Sequence, residues 1–261
     1  MQGNHGDSEA RSMELHLTVL GTFHAGAQAG GPIGITMKKP RALLAFLALH
    51  PRVPQGRDRL AALLWPDAPT TPARLNLRQS LFLLRRALDP AVGPIVADVD
   101  GHIVLDASRV VVDALVFQSA AAQAGREALI AAAELYRGDL LQGLEVAEEP
   151  FDEWLTVERE RLRETAIQVL GRLLRLHVDN EQPEAAIHVG LRLLAFDPCL
   201  EAVHRTLMRV YAATDRRGAA VRQFAACAAA LRREFGLTPD GETQRLHREI
   251  VGGRVPALQT A

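Results

Sequence analysis

Lysine is almost missing from this chain of 261 residues: Lys38 and Lys39 stand alone, and arginine carries nearly all the positive charge. That bias fits a GC-rich genome and speaks of origin rather than mechanism. Cysteine is as scarce. Cys199 and Cys227 are too few for a disulfide framework and lack metal-ligand spacing, so they read as reduced thiols. No apolar run reaches the length of about eighteen residues that a transmembrane helix needs, so no membrane partner is expected. The opening MQGNHGDSEARS has no apolar core, so no secretory signal is expected and the expected location is cytoplasmic. A GxxxxGKS/T phosphate loop, HExxH, GxSxG and paired CxxC are all missing, and the nine histidines follow no ligand pattern. Asp98, Asp100 and Asp106 crowd together without a base or metal partner. These absences argue against an enzyme: no catalytic residue, metal or cofactor is expected.

What is present suggests two domains. Hydrophobic residues make up 48% of the chain, enough for a full core. Formal charge is near zero overall but uneven. Met13 to Asp113 holds eleven Lys/Arg against eight Asp/Glu, a balance of +3. Ala114 to Ile250 holds seventeen against twenty-one, a balance of −4. A basic half joined to an acidic half suits a nucleic-acid module fused to a protein-binding one.

Leu15 to Phe23 alternates and reads as a strand, the glycine-rich stretch Gly26 to Gly34 as a turn, and Ile35 to Lys38 as a partner strand. Pro40 suits the first turn of a buried helix over Arg41 to His50. Arg57 to Leu64 is a second helix, with Asp58 in its first turn where a negative charge suits the dipole. Pro72 opens a third, which ends near Asp89-Pro90. It carries Leu77, Leu81, Leu84 and Leu88 as one stripe, and Leu43 and Leu63 complete the expected core. Pro94 to Leu105 reads as two strands around Asp100-Gly101, a strong hairpin signal. Three helices followed by a hairpin predict a winged helix-turn-helix.

In such a unit the buried face of the third helix fixes its angle while long polar side chains reach the duplex. Arg74, Asn76, Arg78 and Gln79, in its first half, are therefore candidate groove contacts. Arg85 and Arg86 near its end, Lys38, Lys39 and Arg41 before the first helix, and His102 at the hairpin tip are further DNA-binding candidates. Arg85 and Arg86 also serve a helix C-terminus without any DNA.

From Glu127 onward Ala, Leu, Arg and Glu dominate, and Phe151 to His177 is one amphipathic run in which Phe151 and Trp154, with Tyr136, read as core anchors. A repeat then appears at an offset of 34 residues: Leu173, His177, Ala186 and Ile187 align with Leu207, Tyr211, Ala220 and Val221. Helix pairs of that period with small residues at close contacts are the tetratricopeptide signature.

The segments PRALLAFLALHPRVPQGRDRLAALLWPDAPTTPARLNLRQSLFLLRRAL, VVVDALVF, ALIAAAELYRGDLLQGL, DEWLTVERERLRE, AFDPCLEAVHRTLMRVYAATDRRGAAVRQF and LRREFGLTPDGETQRLHREI occur in that order. The chain thereby resembles the SARP family, the antibiotic regulatory proteins of actinomycetes, and more broadly proteins with a bacterial transcriptional activation domain (BTAD). The resemblance implies a mainly α fold with a small β part: an N-terminal OmpR-type winged helix-turn-helix followed by an all-α tetratricopeptide-like domain. The expected organisation is a disordered segment 1–12, a DNA-binding domain 13–117, an activation domain 118–250 and a tail 251–261. The first domain's core is local enough to fold without the second. The resemblance further implies an activator that binds promoter direct repeats as a homodimer, recruits RNA polymerase holoenzyme through its sigma and alpha subunits, and regulates a secondary-metabolite gene cluster. In OmpR-type proteins the loop between the second and third helices faces polymerase, which makes Trp65, Asp67, Thr70 and Thr71 the polymerase candidates. One departure stands out: Leu83 occupies a position that is basic in relatives. That departure keeps an alternative open, a helical-repeat scaffold or effector-binding regulator whose winged helix has degenerated.

Overall fold

The computed structural model describes residues 14–28 and 30–254. The expected disordered segment 1–12, and the tail from 255 onward, lie outside the described residues.

Leu15–Thr18 (β1) has its leucines buried and pairs antiparallel with His24–Ala27 (β2). Its other edge pairs in parallel with Val110–Val112 (β6), giving the order β2-β1-β6. The strand expected to run on to Phe23 stops at Thr18. The backbone N–H groups of Val19 and Leu20 instead donate to the Asp113 carboxylate at 2.9 and 3.1 Å. The partner expected at Ile35 to Lys38 is corrected as well: β2 is nearer in sequence, because Gly21 (φ 104°) allows a tight return. Lys38 already belongs to the first helix.

Helix α1, Lys38–Leu49, has Pro40 in its first turn and buries every residue from Ala42 to Ala48, as expected of a helix apolar on all sides. A short strand, Gln55–Gly56 (β3), leads into α2, Arg57–Leu64. Leu60 and Leu64 are its buried leucines; Leu63, expected in the core, is only half-buried. Helix α3 spans Thr70–Val92, starting two residues before Pro72 and passing Asp89-Pro90. Pro90 falls in the last turn, and Gly93 (φ 72°) ends the helix. Val96–Val99 (β4) and His102–Leu105 (β5) form the hairpin, with β3 on its other edge in the order β3-β5-β4. Asp100 (φ 50°) and Gly101 (φ 78°) are both left-handed, the requirement of a type I′ turn. The leucine stripe of α3 is fully buried beneath α1 and α2. The element order is that expected of a winged helix-turn-helix.

The remaining helices are α4 (Asp113–Ala122), α5 (Arg126–Leu135), α6 (Glu149–Asp179), α7 (Pro183–Phe196), α8 (Glu201–Ala213), α9 (Arg217–Phe235) and α10 (Gly241–Val251). Two compact units result, and their limits differ from a boundary at 117/118. The first contains residues up to 119 together with 135–162; the second contains 120–134 and everything from 163. The physical reason lies in segment 135–162. Leu141 and Gln142 N–H groups donate to the carbonyls of Val19 and Gly21 at 2.7 and 2.8 Å. Trp154 meets Phe46 edge-on at 4.9 Å, and Tyr136 packs against Phe117. Arg159 donates to the Leu140 and Leu141 carbonyls, holding a turn in which Leu141 has φ 52°. Tyr136, Phe151 and Trp154 are thus core anchors, but of the first unit.

In the second unit the 34-residue period holds at the level of single hydrogen bonds. Gln182 N–H donates to the His177 carbonyl at 2.9 Å, and Arg216 N–H donates to the Tyr211 carbonyl at 2.8 Å. Glu181 (φ 54°) and Asp215 (φ 59°), one period apart, are both left-handed. Pro183 and Arg217 open the following helices. Gly190 lies against α8: a Cβ there would fall 2.7 Å from Leu207 Cδ2. A helical domain of tetratricopeptide type with a small N-terminal β region is the fold. Cys227 is buried, which pushes its thiol up to about 12, and Cys199 is half-buried.

Candidate nucleic-acid interface

Helix α3 divides cleanly by period. Ala73, Leu77, Ser80, Leu81, Leu84 and Leu88 face inward. Arg74, Leu75, Arg78, Gln79, Phe82 and Arg86 are exposed. Arg78 stands at the centre of that outer ridge and has no hydrogen bond or ion pair among the described residues; Gln79 and Arg86 are equally free.

Other candidates have occupations of their own. The Arg74 guanidinium makes a two-point bond to Asp58, Nε to Oδ1 at 2.7 Å and Nη2 to Oδ2 at 2.8 Å. That bond holds the Asp58 carboxyl below the ordinary carboxylate range and raises Arg74. Arg85 is half-buried and donates to the Val96 carbonyl at 3.0 Å, which ties the hairpin to α3. Arg57 pairs with Asp98 of β4, lowering the Asp98 carboxyl, and Arg109 donates to the Val92 carbonyl. Asn76 is half-buried and leaves the ridge. It lines a cleft with Lys38, Trp65, Gln79 and Leu83. Leu83 is also half-buried there, beside Met37, Pro40 and Trp65, so it joins the cleft rather than the exposed ridge.

Before α1 the three cations separate. Lys38 is exposed and unpaired among the described residues. Lys39 is bonded to Glu148 at 2.5 Å with its ammonium 5.0 Å from the Trp65 ring centre. Arg41 donates through Nε to the Ile35 carbonyl and lies over Phe23. At the hairpin tip His102 is exposed, its Nδ1 3.1 Å from the Asp100 carbonyl.

The connection between α2 and α3 is Trp65 to Pro69. Thr70 and Thr71, expected in this loop, form the exposed first turn of α3. Asp67 is exposed and Trp65 half-buried. Of the DNA-binding candidates, Arg78, Gln79, Arg86 and Lys38 are exposed and unpaired among the described residues, while His102 is exposed but bonded to the Asp100 carbonyl.

The sequence reading missed Leu75 and Phe82. They are 52% and 61% exposed on the same ridge as Arg78. Their spacing from Arg78, three before and four after, is the signal that places them on one helix face.

The described residues hold no group of three or more His, Cys, Asp or Glu placed for a metal ion, and no helix long and apolar enough to cross a membrane.

Among solved structures the fold is similar to Mycobacterium tuberculosis EmbR, determined in complex with a low-affinity phosphopeptide. The two superpose with a TM-score of 0.67 at 22% identity, over 94% of this chain and 67% of that one. At that identity the likeness shows the fold alone. No curated protein sequence matches the chain. The model of the bacterial transcriptional activator domain family matches residues 99–251, more than half of the sequence, and the chain belongs to that family.

Proposed function

We propose that the chain is a non-catalytic, DNA-binding transcriptional activator of the cytoplasm, with an OmpR-type winged helix at its N-terminus. The observation that carries the reading is the α3 ridge, where unpaired Arg78, Gln79 and Arg86 stand opposite a fully buried leucine stripe. A helix anchored on one face presents the other at a fixed angle, which a groove-reading helix needs. Arg78 is the proposed base contact, since a guanidinium matches the two acceptors of a guanine edge. Lys38 and Arg86 suit phosphates, and His102 at the hairpin tip the neighbouring minor groove. Arg74 acts as a reserve contact released from Asp58, while Arg85, Lys39 and Arg41 serve as struts. Asn76 supports the cleft floor rather than an adenine.

The family supports an activating role. Asp67 and the exposed Thr70 and Thr71 are the proposed surface toward RNA polymerase holoenzyme, and the second unit the recruiting module. Binding as a homodimer on promoter direct repeats of a secondary-metabolite cluster completes the proposal. No cofactor is invoked. Domain roles follow the compact units, with DNA binding assigned to the first and activation to the second.

A salt titration tests the reading. Two protomers using three to five cations each make about 6–10 phosphate contacts, so log K should fall against log salt with a slope on the order of −5 to −9. The number of cations bonded internally favours a second reading, a helical-repeat scaffold with a spent winged helix. A slope near zero would select it.

A further inference from the structure

The α3 ridge is not only basic. Leu75, Arg78 and Phe82 stand at i, i+3 and i+7, one face of the helix, and both apolar members are more than half exposed. Leaving a phenylalanine in water opposite a saturated leucine stripe gives up burial that the fold offered elsewhere. Such an exposure asks for an occupant.

The surroundings choose between occupants. A protein partner calls for a contiguous apolar patch with charge depleted at its centre. Here the centre is Arg78, with Arg86, unpaired among the described residues, on one flank and Arg74, bonded to Asp58 of α2, on the other. Helix α3 itself carries no acidic side chain until Asp89, near its end. Single apolar side chains interleaved with guanidiniums fit a major groove, where thymine 5-methyl groups are the apolar features beside guanine acceptors.

We infer that Phe82 and Leu75 are specificity-determining residues that pack on thymine methyl groups flanking the base pair read by Arg78. The inference rests on the DNA-binding reading of the same helix and adds the identity of the neighbouring bases. The spacing adds a length. Seven residues rise about 10 Å along a helix, which spans about three base-pair steps at 3.4 Å each. The target should therefore hold thymines on both sides of a guanine within about four base pairs.

The experiment uses the full chain and duplexes that it recovers from a randomised pool. The recovered duplex is then compared with one in which the flanking thymines are replaced by uracil, which removes only the methyl groups. Wild-type affinity should drop about fourfold for each methyl removed, the worth of one buried methyl-sized group. Phe82→Ala, at an exposed position that the fold does not need, should bind the thymine duplex more weakly and become indifferent to uracil at its site. Leu75→Ala should do the same on the opposite flank. Equal wild-type affinity for the two duplexes would overturn the inference, as would Phe82→Ala and Leu75→Ala variants that still discriminate thymine from uracil. Salt-dependent binding in that case leaves the DNA reading standing. Failure to enrich any duplex would overturn both. A Phe82→Ala variant with unchanged DNA binding but a lost self-association in sedimentation would show that a second copy covers the ridge, and would overturn the inference too.

Discussion

The outer ridge of α3 in the first unit and the buried helix contacts of the second use arginine for opposite purposes. On α3 of the first, Arg78 and Arg86 are exposed and unpaired among the described residues. In the second, Arg175, Arg217, Arg222, Arg232 and Arg248 are also exposed and unpaired among the described residues, but the buried and half-buried arginines are consumed internally. Arg205 is buried and bonds Asp240 at 2.8 Å and Thr243 Oγ1 at 3.0 Å, with Glu242 at 3.3 Å from its other terminal nitrogen. Arg209 also reaches Glu242, and Arg172 and Arg192 donate to the Ala121 and Ala133 carbonyls. Arg216 pairs with Glu184 from the preceding repeat turn. Composition treats these residues alike. A guanidinium left free by the fold keeps its charge available to a phosphate, and on α3 the free guanidiniums also stand opposite a fully buried leucine stripe that fixes their direction.

The largest effect tests the boundary between the two regions. Truncation after Phe117 should abolish the first unit's cooperative melting, since it removes the partners of Val19, Gly21 and Phe46 on segment 135–162. Near-ultraviolet dichroism and amide exchange would report it. A truncated chain that melts sharply would return the boundary to 117/118.

Next comes a matched pair of substitutions. Arg205→Ala leaves Asp240 and Glu242 without their buried counter-charge and should destabilise the second unit by about 3 kcal/mol, reduced because both carboxylates are partly solvated. Arg78→Ala should leave stability unchanged and weaken duplex binding by about 1–3 kcal/mol. Thermal melts and anisotropy on one duplex measure both. If Arg78→Ala melts early, or binds normally, the contrast between free and consumed arginine fails.

Much of the fold was legible in the sequence. The leucine stripe of α3, the Asp100-Gly101 hairpin and the 34-residue period depend on local patterns, and each appears where expected. The entry to the chain was harder. Strand β2 reads His-Ala-Gly-Ala, with no strong β-former, and is held by pairing with β1 rather than by propensity. The placement of 135–162 depends on distant partners, which no local period encodes. At the candidate site the period of α3 identified the exposed side, yet it could not tell Arg78 from Arg85. They differ by the Val96 carbonyl, contributed from across the hairpin.

A moderate effect sharpens the repeat itself. Gly190→Ala should destabilise the second unit by about 1–3 kcal/mol, because the added methyl must displace the Leu207 side chain from a close helix contact. Tryptophan emission gives a clean control, since both tryptophans, Trp65 and Trp154, belong to the first unit. Helical dichroism should shift to lower melting temperature while the tryptophan transition stays in place. A joint shift would mean that the two units melt as one.

The smallest effect separates the units by the sign of their response to acid. In the second unit His204 is buried and neutral: its Nε2 donates to the Pro198 carbonyl at 3.0 Å, and its Nδ1 accepts from Gln223 at 2.7 Å. Burial holds it below its ordinary value of 6.5, against the pull of these bonds and of Glu201 and Asp197. With the folded value depressed, the unfolded chain takes up the proton first, so stability falls as pH drops below about 6.5 and levels off below the folded value. One proton limits the slope to about 1.4 kcal/mol per pH unit. In the first unit Asp113 goes the other way. Burial raises its carboxyl above 3.8, although Val19, Leu20 and Ala114 all donate to it. Its contribution is complete below that ordinary value and is lost as pH rises through the folded one. Melts followed by dichroism between pH 7 and 5 should therefore show the second transition weakening while the tryptophan transition holds steady or strengthens. His204→Gln should flatten the first trend without touching the second, because glutamine carries no titrating proton. If the slope survives that substitution, the titrating group lies elsewhere in the repeats.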